Sequence, residues 1–179
     1  MNMKKLHPIA IALMLAATAM NVSAKAPKNH QPHKEIKMEQ SHKQVAINAV
    51  NAFFKDYSVE GINTYFAKDY IQHNPHVPTG IEPVIGFAPL LKQAGTTTQN
   101  HRLFVDGDLV VMHNTYDNAE AFGAKKVVTF DIFRVANGKV AEHWDAINPL
   151  ADTTASGRTQ VDGPTQVTDL DKTQANKTL

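Results

Sequence analysis

The sequence predicts an α+β domain, and three observations predict it. Apolar residues recur at helical spacing before residue 95. Beyond residue 100 the chain turns to β-branched and aromatic runs. Asp106-Gly107 and Asn137-Gly138 each separate two such runs, and both dipeptides favour tight hairpins. Helices first and strands afterwards describe helices packed on an antiparallel sheet.

Taken in order, a first amphipathic helix is expected from Glu39, with Ser41 as its N-cap. Val45, Ala49 and Phe53 share a face with Ala46, Val50 and Tyr57. A short second helix covers residues 59–66, and Lys68-Asp69-Tyr70 leads on into YIQHNP, where Pro75 and Pro78 impose an extended or turning path. Residues 80–93 read as a third, broken helix. Pro83 is tolerated in a first turn, while Pro89 should kink or end it. A loop follows over residues 95–99. Strands are expected at residues 101–105 and 109–116, and residues 109–112 are apolar throughout, as in a strand covered on both faces. Residues 117–124 form a connection, and a hairpin over residues 127–147 closes the domain.

That hairpin carries the chemistry. Asp131 lies on its outgoing strand, and Glu142, His143 and Asp145 surround Trp144 on the return. Ionisable groups on strands suited to burial must be solvated, paired or used. A two-residue turn at Asn137-Gly138 pairs Val135 with Val140 and sets Asp131 opposite Trp144. A three-residue loop with Gly138 left-handed pairs Val135 with Lys139 instead. It sets Phe133 opposite Ala141, Asp131 opposite His143 and Thr129 opposite Asp145. One face then carries those six residues. The other carries Phe130, Ile132, Val140 and Trp144 with Arg134 and Glu142. A one-residue slip exchanges the faces, and the second register, which gathers the polar groups, is the expected one.

The run DIFRVANGKVAEHWD, with YIQHNP (residues 70–75) and DGDLVVMH (residues 106–113) upstream, resembles the SnoaL-like proteins. These are the polyketide-cyclase and aldol-condensing branch of the nuclear transport factor 2-like superfamily. The resemblance spans residues 41–150. It implies a cone, also described as cystatin-like, in which N-terminal helices close the concave side of a strongly curved antiparallel sheet over a pocket. This fold hosts isomerases, dehydratases, cyclases and binding proteins, so the activity must be read from the site.

Composition narrows the possibilities. Residues 1–24 read as a secretion signal: Lys4 and Lys5 precede an apolar run, and Val22-Ser23-Ala24 is a small-residue cleavage site. Cleavage removes two lysines and no acid, taking the formal charge from +1 to −1. A near-neutral chain has no electrostatic footprint for nucleic acid. No cysteine is present, which excludes disulfides, thiol catalysis and zinc–thiolate sites. Residues 25–38 read as a polar linker and residues 39–150 as the domain. Residues 151–179 read as a disordered polar tail, or, from Thr168, as the start of a second domain of the same kind.

Asp145 is the first catalytic candidate, because the resemblance places an acid/base carboxylate there. An apolar pocket raises a carboxyl's proton affinity and suits it to removing a proton α to a carbonyl. The alternative is a structural role, as a pair with Arg102 or a cap on a neighbouring loop. Asp131 and His143 are the other catalytic candidates, as a His–Asp pair that either tunes the site or simply satisfies itself. The resemblance often has histidine where Asp131 stands. Substrate contacts are expected of Tyr70, His73, Asn74, His113 and Trp144. Tyr70 would donate to a developing enolate or pack; Asn74 before Pro75 also suits a turn; His113 on an apolar strand also suits a core. His73 and His76 with Asp131 or His113 sketch a metal site on paper, but the resemblance implies chemistry without metal or cofactor.

Three functions follow as expectations. The first is a cofactor-free enzyme acting on a hydrophobic carbonyl compound by aldol cyclisation, isomerisation or dehydration. The second is a periplasmic module that binds a small apolar ligand. The third is an interaction protein that uses Phe130, Ile132 and Trp144, the face on which the resemblance implies a homodimer. Export fits poorly with cytoplasmic polyketide assembly and favours an external compound.

Overall fold

A computed structural model describes residues 32–166 of the chain. The expected signal segment, and the second-domain reading from Thr168, lie outside the described residues. Three helices and five strands follow in the order α1 (Pro32–Phe54), α2 (Val59–Tyr65), β1 (Phe66–Gln72), α3 (Ile81–Ala94), β2 (Thr97–Asp106), β3 (Leu109–Asp117), β4 (Lys126–Ala136) and β5 (Lys139–Pro149), with a 3₁₀ turn at Glu120–Phe122. Among these residues no helix is long and apolar enough to cross a membrane.

α1 is already helical at Pro32, the first described residue, and not only from Glu39, so the described part of the polar stretch before the domain belongs to the helix and Ser41 lies in its interior. Neither Gly nor Pro interrupts residues 33–54. Ala46, Ala49 and Ala52 are buried and let the helix approach its neighbours closely. Gly61 is needed for the same approach, because a Cβ there would stand 2.8 Å from the Ala52 Cβ. Ser58 caps α2 by accepting from the Gly61 N–H at 3.0 Å. α3 runs unbroken through Pro89 to Ala94. Pro89 forfeits one helical bond, and burial of Val84, Ala88 and Leu91 holds the helix regardless.

The sheet order is β1-β5-β4-β3-β2, and β1 runs parallel to β5 while the other pairs are antiparallel. The sheet is therefore mixed, and the expected all-antiparallel sheet lacks its edge strand β1. β1 escaped notice because only Phe66 and Tyr70 are buried, and its pairing with β5 shifts between Phe66 and Ile71. The helices cover one face of the sheet, where Ala46, Ile62, Ile81, Val110, Phe133 and Val140 meet in the core. The opposite face is less covered than expected: Leu109 is exposed and Val111 half-buried.

The β4–β5 hairpin corrects the expected register. Val135 pairs with Val140 around a two-residue turn, with Asn137 at φ 53° and Gly138 at φ 73°, as a type I′ turn requires. The ladder then skips Ala141, so that Arg134 pairs with Glu142, Phe133 with His143 and Asp131 with Asp145. This β-bulge restores the face that the tight turn alone would have reversed. Val140, expected outside, is buried in the core, and Asp131, His143 and Asp145 share the helix-covered face.

Residues 151–166, expected to be disordered, form turns fastened to the sheet. Arg102 donates to the carbonyls of Pro164 (2.8 Å), Val161 (3.2 Å) and Asp162 (2.6 Å).

Candidate active site

Strand alternation brings the site together. On β3, Asn114 and Tyr116 continue the inward face of Val110 and Met112; on β4, Thr129 and Asp131 point the same way; on β5, so do His143 and Asp145. β1 adds Tyr70 and Gln72 beside β5, and the turn after it adds Asn74.

Asp131 lies at the centre and is 2% exposed. Its Oδ2 accepts from Asn114 Nδ2 (2.7 Å), Tyr116 OH (2.9 Å) and Thr129 Oγ1 (2.5 Å), and its Oδ1 lies 3.3 Å from His143 Nε2. Burial alone would raise the carboxyl's pKa. The hydrogen bond and charge of His143, with Thr129 and Asn114, more than offset that and hold it below the ordinary carboxylate value. Asp131 is thus a fixed anion, suited to anchoring and poorly suited to accepting protons.

Asp145 has different company. Asn74 Nδ2 donates to both its oxygens, at 2.8 and 2.9 Å. The Asn74 amide cannot turn round, because its own oxygen accepts from the His76 N–H at 2.8 Å. Asn74 is therefore a positioning residue for Asp145 as well as part of the cavity wall. The alternative pairing of Asp145 with Arg102 does not form, since Arg102 holds residues 161–164 and His113 on the opposite side of the sheet.

Tyr70 lies on the same wall. Its hydroxyl oxygen accepts from Gln72 Nε2 at 3.0 Å, and among the described residues its own hydrogen has no recorded acceptor. Burial, reinforced by the charges of Asp145 and Asp131, pushes its pKa far up and keeps it a phenol. Val50, Phe53, Phe54, Phe87, Phe122 and Ile147 complete a cavity of about 70 Å³. That is roughly half the ~150 Å³ that accommodates a benzene ring, so a ligand of that size enters only if wall side chains move aside.

Five of the eight expected site residues meet here: Asp145, His143, Asp131, Asn74 and Tyr70. Three, Trp144, His73 and His113, lie outside this cavity. Trp144 falls between His143 and Asp145 and so faces the other side, where His73 stacks on it at 4.7 Å and bonds Glu142 at 2.8 Å. His113 falls between Met112 and Asn114; it stacks on Phe130 at 4.3 Å and receives Arg102 Nη1 at 3.0 Å. Asn114, Tyr116 and Gln72 went unremarked in the sequence. The parity that puts His113 on one face puts Asn114 and Tyr116 on the other, and that signal was available.

Asp131, His143 and Asp145 also offer ligand atoms within 4.8 Å of one another. A cation there would have to part Asp131 Oδ1 from His143 Nε2 and compete with the Asn74 amide for Asp145. The donor set serves a hydrogen-bonded network better than a metal.

Helices over a five-stranded mixed sheet, with a carboxylate-bearing apolar cavity between them, define a nuclear transport factor 2-like fold. The sequence pattern of the SnoaL-like domain matches residues 47–143, and the chain belongs to that family. No curated protein matches it. Among solved structures it is similar to TsrD from Streptomyces laurentii (21% identity, 61% of this chain and 89% of that one, TM-score 0.51). It is also similar to a candidate polyketide cyclase from Bacillus cereus ATCC 10987 (18% identity, 60% and 74%, TM-score 0.52). A candidate SnoaL-like polyketide cyclase from Jannaschia sp. CCS1 is comparable (16% identity, 68% and 91%, TM-score 0.50).

Proposed function

We propose that this protein is an exported enzyme that moves a proton α to the carbonyl of a small hydrophobic substrate, without a cofactor. The observation that carries the reading is Asp145: a carboxylate at the wall of an apolar cavity, aimed by Asn74, with the Tyr70 phenol on the same wall and its hydrogen without an acceptor among the described residues. Asp145 removes the α-proton, the C–H electron pair forms the new C=C bond as the carbonyl π pair moves to oxygen, and Tyr70 donates its hydrogen bond to the enolate so formed. Return of the proton from Asp145 to another carbon is isomerisation; attack of the enolate on a second carbonyl, whose oxygen takes that proton, is aldol closure; expulsion of a β-hydroxyl, protonated by Asp145 and leaving as water, is dehydration. The apolar residues and the limited volume favour compact, uncharged substrates.

Exchange of α-hydrogens for deuterium tests the step common to all three reactions. Enones and β-dicarbonyl compounds, 2-cyclohexenone and acetylacetone among them, should exchange faster in D₂O with the protein than without it, and the excess should vanish in Asp145→Asn. Saturable binding of these compounds with no excess exchange would favour the non-catalytic binding module instead.

A further inference from the structure

We propose that Gln72 holds His143 as an imidazolium, so that His143 gives the site a fixed positive charge and is not its base. The part this leaves to Asp145 rests on the acid/base reading above; the state of His143 does not.

The orientation of the Gln72 amide is unambiguous. One of its terminal atoms lies 2.9 Å from the His73 N–H and 3.0 Å from the Asn74 N–H, and only the oxygen can accept from both. That same oxygen lies 3.1 Å from His143 Nδ1. The other ring nitrogen, Nε2, lies 3.3 Å from Asp131 Oδ1. Both nitrogens of one imidazole thus face oxygen acceptors. A neutral imidazole carries a single N–H, so either tautomer would point a lone pair at an oxygen, and the doubly protonated ring alone satisfies both contacts.

The surroundings agree with a cation. Asp131 faces the ring from β4, with three donors on its second oxygen that favour the ionised carboxylate. Asp145 on β5 brings an oxygen to 4.0 Å of Nδ1. β1 contributes the neutral Gln72 and, through its amide, the phenol of Tyr70. Phe133 stacks on the ring at 4.6 Å. Gln72 therefore links three parts of the site: the turn that carries Asn74, the charge state of His143, and the freedom of the Tyr70 hydrogen. It is a positioning residue.

Nitrogen-15 NMR of the imidazole nitrogens, recorded on the full chain at neutral pH, reads the state directly. In the wild type both His143 nitrogens should carry hydrogen. Gln72→Glu keeps an acceptor at the same place and should extend the doubly protonated state to higher pH. Gln72→Met removes the acceptor and should leave hydrogen on Nε2 alone. A singly protonated His143 in the wild type overturns the proposal, as does a His143 titration midpoint that does not rise in Gln72→Glu. Should Gln72→Met fail to fold, those two measurements decide. An imidazolium signal with no α-hydrogen exchange would sink the enzyme reading and leave this inference standing; a neutral His143 beside active exchange would do the reverse.

Discussion

Asp131 and Asp145 face each other across the β4–β5 ladder, yet their surroundings assign them opposite work. Asp131 is enclosed by Asn114, Tyr116, Thr129 and His143, which stabilise its charge and lower its proton affinity. Asp145 is held by one amide at the cavity wall and faces the space a ligand would enter. Two carboxylates so close would repel if both were unpaired; His143, within reach of each, separates them.

Asp131 should therefore matter to folding before it matters to catalysis. Asp131→Ala strands three buried donors and leaves His143 without its partner. Leaving buried donors unsatisfied in this way costs about 1–3 kcal/mol for each group. Denaturant unfolding should show a loss of that order, with the far-ultraviolet spectrum of any folded fraction unchanged. A loss of less than about 1 kcal/mol, the usual worth of one neutral hydrogen bond, would show that the network is not what holds these strands.

Stability should fall in two stages as pH is lowered. His113 is buried, and desolvation, then the charges of Arg102 and His101, lower its pKa in the folded chain. Below about 6.5, the unperturbed value, the unfolded chain binds a proton that the folded chain refuses, so stability rises with pH and drops on acidification. Asp131 is the opposite kind of group with the same sign of slope. Its contribution is present above about 3.9, the unfolded value, and is lost as pH falls through its lower folded value. Thermal midpoints across this range should reveal both declines, and His113→Phe should reduce the first while sparing the second. An unchanged upper decline in that variant would shift the explanation away from His113.

Arg102 should act as the fastener of residues 161–164. Arg102→Leu removes all three donors to those carbonyls. Limited proteolysis should then cut within residues 151–166 well before it cuts the domain, and the cleaved domain should keep its thermal midpoint to within a few degrees. Equal resistance in the variant and wild type would mean that other contacts, such as Ala151 N–H to Gln160 Oε1, suffice.

The division between what could and could not be read in the sequence follows from the range of each signal. Alternation is local, and it put Asp131, His143 and Asp145 on one face. Register depends on two strands at once, and there the expectation failed: the Asn137-Gly138 turn is tighter than expected, and the bulge at Ala141 compensates. Two departures from the expected ladder left the faces intact. β1 is the reverse case, since a parallel edge strand with buried residues only at Phe66 and Tyr70 has no alternating pattern to detect. Gln72 was invisible for the same reason. Its role depends on β1 lying beside β5, a pairing between residues some seventy apart in sequence.

Asp145→Asn separates mechanism from structure most directly. The amide keeps the side chain's size and an oxygen able to accept from Asn74, and it removes the proton acceptor. If Asp145 performs proton transfer, α-hydrogen exchange or turnover should fall by roughly two to four orders of magnitude, the usual worth of a positioned general base. Binding of the same ketone should change far less. Stability should hold or rise, because removing one of two facing carboxylates relieves their repulsion and the desolvation of a charge. Asn74→Ala should fall between: it leaves the carboxylate chemically intact and frees its orientation, so activity drops by less than in Asp145→Asn. Turnover, ketone affinity and thermal midpoint measured on both variants distinguish the readings. A stable, fully active Asp145→Asn protein would remove Asp145 from the mechanism, and an inactive one that has merely unfolded would make it a structural residue.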